Sequence, residues 1–63
     1  MKVEIGDKIR IVNMDGEPQY NGRVGIVNHI DSKGQVFGTW GGLAVQLEND
    51  EIEIIEKVKK GSN

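Results

Sequence analysis

The stretch Gly22-Arg23-Val24-Gly25-Ile26-Val27-Asn28-His29-Ile30-Asp31-Ser32-Lys33-Gly34-Gln35-Val36-Phe37-Gly38-Thr39-Trp40 decides the fold. It reads as strand, tight turn, strand. Val24, Ile26, Val27 and Ile30 supply β-branched apolar residues before the break. Val36, Phe37, Thr39 and Trp40 resume the strand pattern after it. Between them, Asp31-Ser32-Lys33-Gly34 carries turn chemistry: a type I turn through Asp-Ser-Lys, closed by a glycine that takes positive φ without a Cβ clash.

Outward from this hairpin the same period of two recurs. Lys8-Ile9-Arg10-Ile11 alternates strictly, which turns Ile9 and Ile11 inward and Lys8 and Arg10 to water. Val12 and Met14 then shift the phase, as a bulge or a strand end does. Residues 15–22 hold two glycines and the only proline, and read as a loop longer than a hairpin needs. After the hairpin, Trp40-Gly41-Gly42-Leu43 signals a second one through a two-residue Gly-Gly turn. It leads into a strand with Leu43, Val45 and Leu47 on one face. Glu48-Asn49-Asp50 is a polar break, read as one turn of 3₁₀ helix. Ile52 and Ile54, alternating with Glu51 and Glu53, make a fifth strand, and Ile55 covers a second face or a seam. No stretch sustains a helical period. Five short strands with glycine-rich turns predict an all-β domain over residues 1–57, closed into a small barrel that removes exposed edges, with residues 58–63 as a flexible C-terminal tail.

Composition narrows the function. A chain of 63 residues has room for a small barrel but not for a barrel and a deep substrate pocket. It has no cysteine, so disulfides and thiolate metal sites are excluded and a reducing cytoplasm is expected. No apolar run reaches signal-peptide or membrane length, so no membrane partner is expected. The net charge is −2, from eight bases and ten acids. Residues 34–56 contain no base, and Glu48, Asp50, Glu51, Glu53 and Glu56 crowd their end. A nucleic-acid binder draws most of its affinity from a basic stripe, and none is obvious here.

Four segments in order carry a resemblance. Ile5-Gly6-Asp7-Lys8-Ile9-Arg10-Ile11 is similar to the G-D-x-V-x-V opening of SH3-like barrels. Gly22-Arg23-Val24-Gly25-Ile26-Val27-Asn28-His29-Ile30-Asp31 resembles the KOW-type segment G-x-x-G-x-V-x-x-I-D. Gly34-Gln35-Val36-Phe37-Gly38-Thr39-Trp40 resembles the tryptophan-ended strand that follows it, and Glu53-Ile54-Ile55 resembles the closing strand. Over residues 5–56 the order and spacing look most like a family of small stand-alone SH3-like proteins of bacterial phages and mobile elements. The resemblance implies a five-stranded SH3-like barrel. It departs from that family at Gly41-Gly42, where the family has Asp-Asn-Gly, and in its shorter connection to the last strand. KOW segments of ribosomal and transcription proteins are far more basic than this one.

Neither catalysis, cofactor nor metal is expected. The one histidine, His29, has only Ser32 and Ser62 as nucleophile partners, one in a turn and one in the tail, and no convergent pocket is visible. The acids of residues 48–56 lack calcium-loop spacing and read as a solvated edge matched by Lys57, Lys59 or Lys8. Trp40 reads as a plug of the barrel end whose indole N–H meets a carbonyl.

The expected role is binding another macromolecule, foremost a protein, as an accessory factor of a phage or mobile element. One contact surface is expected at Tyr20, Arg23, Asp15 and Glu17 on and beside the loop of residues 15–22, and a second at Glu51 and Glu53. Two alternatives stay open. One is a KOW-type nucleic-acid module using Lys8, Arg10, Arg23 and Lys33. The other is a small acidic inhibitor, like an anti-CRISPR protein, that offers its carboxylates to a nucleic-acid enzyme. A monomer or a weak homodimer through an open barrel edge is expected.

Overall fold

The computed structural model describes residues 2–59. Five strands form in the order the sequence implies: β1 (Lys8–Asn13), β2 (Val24–Ile30), β3 (Gln35–Gly38), β4 (Val45–Gln46) and β5 (Glu51–Glu56). A 3₁₀ turn, Pro18–Tyr20, lies within the β1–β2 loop. The strands make one antiparallel sheet in the order β4-β3-β2-β1-β5. β2 serves two neighbours. Its first half pairs with β1 (Lys8↔Ile26, Arg10↔Val24) and its second with β3 (Val27↔Gly38, Ile30↔Val36).

The alternation read in β1 holds. Ile9 and Ile11 are wholly buried and join Val27, Val36, Val45, Met14, Trp40, Ile52 and Val3 in one core. The phase shift read at Val12 and Met14 also appears: Met14 is buried and Val12 exposed, next to a register shift between Ile11 and Asn13 on the β5 side. The β2–β3 turn closes as its residues dictate. Gly34 takes φ 82° and its N–H donates to the Asp31 carbonyl at 3.3 Å. Asp31 Oδ1 accepts the N–H groups of Lys33 and Gln35, each at 2.9 Å.

Closure of the sheet differs from the expectation. No ladder joins β4 to β5, which stand at the two ends of the sheet. The reason is local. β4 is only two residues long, and the chain after it curls into a turn instead of extending. Asn49 and Asp50 donate their N–H groups to the Gln46 carbonyl at 2.9 and 2.8 Å, and Gln46 N–H donates to Asp50 Oδ2 at 2.8 Å.

The second hairpin forms, since β4 pairs antiparallel with β3 (Gln35↔Gln46, Val36↔Val45), but not through the expected two-residue Gly41-Gly42 turn: the connection runs from residue 39 to residue 44. β3 stops at Gly38, and Leu43 and Leu47 are 49% and 41% exposed where an inward row was expected; of that row Val45 alone is buried. Gly41 and Gly42 do take positive φ, 81° and 102°. Side chains, however, occupy the backbone groups that a ladder would use. Trp40 Nε1 donates to the Leu43 carbonyl at 2.8 Å, as anticipated for a plug. Arg23 donates to the carbonyls of Trp40 and Gly41 at 3.2 and 2.9 Å. The N–H of Leu43 donates to the Tyr20 hydroxyl at 3.2 Å.

A third set of contacts ties the chain ends. Asp7 has no exposed surface. Its carboxylate accepts the N–H of Glu4, the N–H of Val58 and the ammonium of Lys57, each at 2.8 Å. Val58, the first residue of the expected tail, is therefore anchored to the domain. The rest of that tail beyond Lys59 lies outside the described residues. Among the described residues no helix is long and apolar enough to cross a membrane.

Candidate partner-binding surface

The loop of residues 15–22 and the segment of residues 39–50 lie against each other, and four of the six residues expected to contact a partner, Asp15, Glu17, Tyr20 and Arg23, sit at or beside their junction. Pro18 starts the 3₁₀ turn with the fixed φ that suits a first position, and the turn ends on Tyr20. Asn21 then reaches back to the head of the loop, where its Oδ1 accepts the Met14 N–H at 2.9 Å. This places the Tyr20 ring under the Arg23 guanidinium, 4.3 Å from the ring centre, a cation–π stack. Tyr20 is half-buried and Arg23 exposed. Both are spent on the neighbouring loop, through the bonds to Leu43, Trp40 and Gly41 described above.

Beside this clasp is a hollow of about 280 Å³. Met14, Asp15 and Glu17 line one side, and Leu43, Ala44 and Asp50 the other. Asp15 is exposed and Glu17 half-buried. Glu17 Oε1 accepts a hydrogen bond from Gln19 Nε2 at 2.6 Å. Asp50 fixes the hollow's shape: its Oδ1 accepts the Asp15 N–H at 2.8 Å while its Oδ2 holds Gln46. The result is a polar recess with three carboxylates and an apolar lip at Leu43 and Met14. Such a recess suits the aliphatic stem and charged head of a lysine or arginine.

Glu51 and Glu53 lie apart from this hollow, on the outer face of β5. Glu53 Oε1 accepts from Arg10 across the β1–β5 ladder at 2.8 Å. Glu51 lines a second hollow, also about 280 Å³, with Val3, Leu47, Asp50 and Ile52. Asp50 thus borders both.

The four bases of the nucleic-acid alternative are not gathered. Lys8 stands opposite Glu56 and Arg10 opposite Glu53 in register, so each base faces an acid on the next strand. Arg23 is committed to backbone carbonyls. Lys33 is at the far tip, in the β2–β3 turn. His29 is exposed and its ring lies 5.5 Å from that of Phe37, tilted by 45°.

Three important residues were not singled out from the sequence. Asp50 looked like one more member of an acidic run, yet it positions both loops; the signal was its place four residues after Gln46, where an Asp side chain reaches back to a turn N–H. Leu43 was read as core and instead forms the hollow's lip. Asp7 was read as turn chemistry and is a buried anchor. Burial raises its pKa, but the hydrogen bonds from Lys57, Val58 and Glu4 and the Lys57 charge outweigh that and hold it below the ordinary 3.8. The Asp7 hydrogen bond raises the Lys57 pKa above 10.5 against a smaller desolvation effect, helped by the charges of Asp7 and Glu4. Among the described residues, no group of three or more His, Cys, Asp or Glu side chains is placed to hold a metal ion. Compared with known proteins, the chain matches no family model, and no curated protein or solved structure matches it significantly.

Proposed function

We propose that this chain is a non-catalytic binding module for another protein, and that a basic segment of that protein enters the hollow between Asp15, Glu17 and Asp50. The scaffold is read as a small SH3-like barrel that stays open along one seam. The sharing of β2 between two half-sheets supports this, as do the four sequence segments that resemble SH3-like proteins of phages and mobile elements. An accessory role in such an element follows from that resemblance, and a place in the reducing cytoplasm from the absence of cysteine.

The observation that carries the binding proposal is the recess itself. Three carboxylates from two loops converge on about 280 Å³ beside an exposed leucine and a Tyr–Arg stack. Carboxylates over an apolar lip complement lysine or arginine, and aromatic and arginine residues are enriched among interface anchors. The nucleic-acid alternative draws less support, because Arg10 and Arg23 already have partners and Lys8 faces Glu56.

The test is a titration of ¹⁵N-labelled protein with short arginine- and lysine-containing peptides, followed by amide shifts. Shifts at Asp15, Glu17, Leu43 and Asp50 that weaken at least tenfold in the double variant Asp15→Asn, Glu17→Gln support the proposal. Saturable binding of labelled DNA or RNA at low salt, with no peptide response, overturns it in favour of the nucleic-acid alternative.

A further inference from the structure

We infer that the open edge of β5 takes up an extended basic strand of a partner protein, adding a sixth strand to the sheet; this rests on the reading of the chain as a protein-binding module and specifies how the partner is held. β5 is six residues long and, among the described residues, pairs with β1 on one side and with no strand on the other. Among the described residues no other backbone hydrogen bond involves residues 51–56. The N–H and C=O groups on its far side therefore face outward, and such a row is a template for another strand.

The chemistry along the edge selects the occupant. Ile52 and Ile54 turn inward and Glu51 and Glu53 outward. The hollow lined by Val3, Leu47, Asp50, Glu51 and Ile52 lies at the start of the strand, and Leu47 is 41% exposed. A strand laid beside β5 puts its own inward side chains over this hollow and its outward side chains next to Glu51 and Glu53. Its inward positions are accordingly apolar and its outward positions lysine or arginine.

A second copy of this chain fits badly. Two β5 edges related by a two-fold axis bring the Glu51, Glu53 and Glu56 rows of both copies side by side, with Glu53 opposite its own copy or Glu51 opposite Glu56 according to register, and like charges on adjacent strands repel. The feature that guards the edge against self-association is the one that favours a basic strand. Phosphates are repelled for the same reason.

The probe is the synthetic peptide Thr-Lys-Val-Lys-Val-Lys-Thr, added to the full chain labelled with ¹⁵N. Slowed hydrogen exchange at alternate amides within residues 51–56, with a Kd that rises with salt, supports the inference. So does at least tenfold weaker binding of the same peptide N-methylated at alternate residues, which keeps the charge but cannot join a ladder, and of a version with glutamate for lysine. If the N-methylated peptide binds as well as its parent, with shifts confined to Asp15, Glu17 and Leu43, the strand inference is overturned while the recess reading stands. No response anywhere on the protein overturns both. Protection of β5 amides without peptide, together with a dimer in sedimentation, overturns the choice of occupant.

Discussion

Two distant pairs of segments are stitched together by side chains instead of strand ladders, and they differ in exposure. At one, Asp7 holds residues 4, 57 and 58 from a position with no solvent contact. At the other, Tyr20 and Arg23 hold residues 40, 41 and 43 at the surface. Both devices satisfy backbone groups that sheet pairing leaves over. Burial sets what each is worth. An acceptor removed from a buried site leaves its donors with no substitute, whereas water replaces an acceptor or donor at the surface. The buried stitch is therefore a matter of stability. The exposed one can exchange an internal bond for one to a partner at little cost, which is why the proposed binding place is the recess beside it.

The largest effect should follow removal of the buried acceptor. Asp7→Ala strands the backbone N–H groups of Glu4 and Val58 and takes one partner from Lys57, whose half-exposed ammonium keeps the Lys2 carbonyl and Glu4. It should cost about 3 kcal/mol, a fall in Tm of more than about 10 °C for a domain of this size, read by thermal circular dichroism. Asp7→Asn should lie between it and the wild type, since one amide oxygen can still accept while the NH₂ opposes the other donors. The pH dependence has a definite sign. The folded pKa of Asp7 is lowered below 3.8, so its contribution is complete above the unfolded carboxylate value and is lost as pH falls through the folded one. Lys57, raised above 10.5, contributes fully below that value and loses its contribution as pH rises through its folded pKa. Urea denaturation should thus show a plateau from about pH 5 to pH 9. In Lys57→Met the Asp7 carboxylate loses its counter-charge, and the acid limb should move to higher pH. An unmoved acid limb would break the assignment of that limb to this pair.

Next in size is Gly42→Ala. Gly42 sits at φ 102°, and a Cβ there would run into the Tyr20 hydroxyl. Backbone strain and loss of the Leu43–Tyr20 bond should together cost about 2 kcal/mol. Combining it with Tyr20→Phe should cost less than the sum of the two single changes, because both remove the same Leu43–Tyr20 bond and the phenylalanine lacks the hydroxyl that meets the new Cβ most closely. Arg23→Ala should cost about 1 kcal/mol or less at its exposed position. It should still shift the amide resonances of Trp40, Gly41 and Leu43. That split, a small stability change with a large local one, is what separates the surface stitch from the buried one.

The two regions also differ in how far they could be read beforehand. The β2–β3 hairpin was legible because every signal in it is local: β-branched residues on either side of Asp-Ser-Lys-Gly, with the glycine at the position that needs positive φ. β1 was legible from the alternation of Ile9 and Ile11. The segment after Gly38 was not. Its Gly-Gly pair and spaced leucines read as a tight turn and a long strand, but the bonds that decide its path come from Tyr20 and Arg23, which lie some twenty residues earlier, and from Asp50. Barrel closure failed for a local reason, since the curl at residues 46–50 consumes the chain that a longer β4 would use. Asp15, Glu17, Tyr20 and Arg23 were named from the sequence because they belong to or adjoin a long loop with charged and aromatic residues. Their junction with Leu43 and Asp50 required the fold. Asp7 was invisible as an anchor because two of its partners, Lys57 and Val58, are fifty or more residues away.

The smallest stability effect should come from the pair on the open face, and it sharpens the functional comparison most. Arg10 and Glu53 meet at 2.8 Å with both side chains about half exposed, so a double-mutant cycle should give a coupling of about 0.5 kcal/mol or less, shrinking with salt. Arg10→Ala should therefore leave Tm nearly unchanged. It removes a base that shields β5 and frees the Glu53 carboxylate for another cation. If a basic strand docks on that edge, this variant should bind the lysine–valine peptide more tightly than the wild type at low salt. If the same face instead serves nucleic acid through Lys8 and Arg10, the variant should lose DNA or RNA affinity and gain nothing for the peptide. One substitution with little structural cost thus separates the two uses of the face by the sign of its effect.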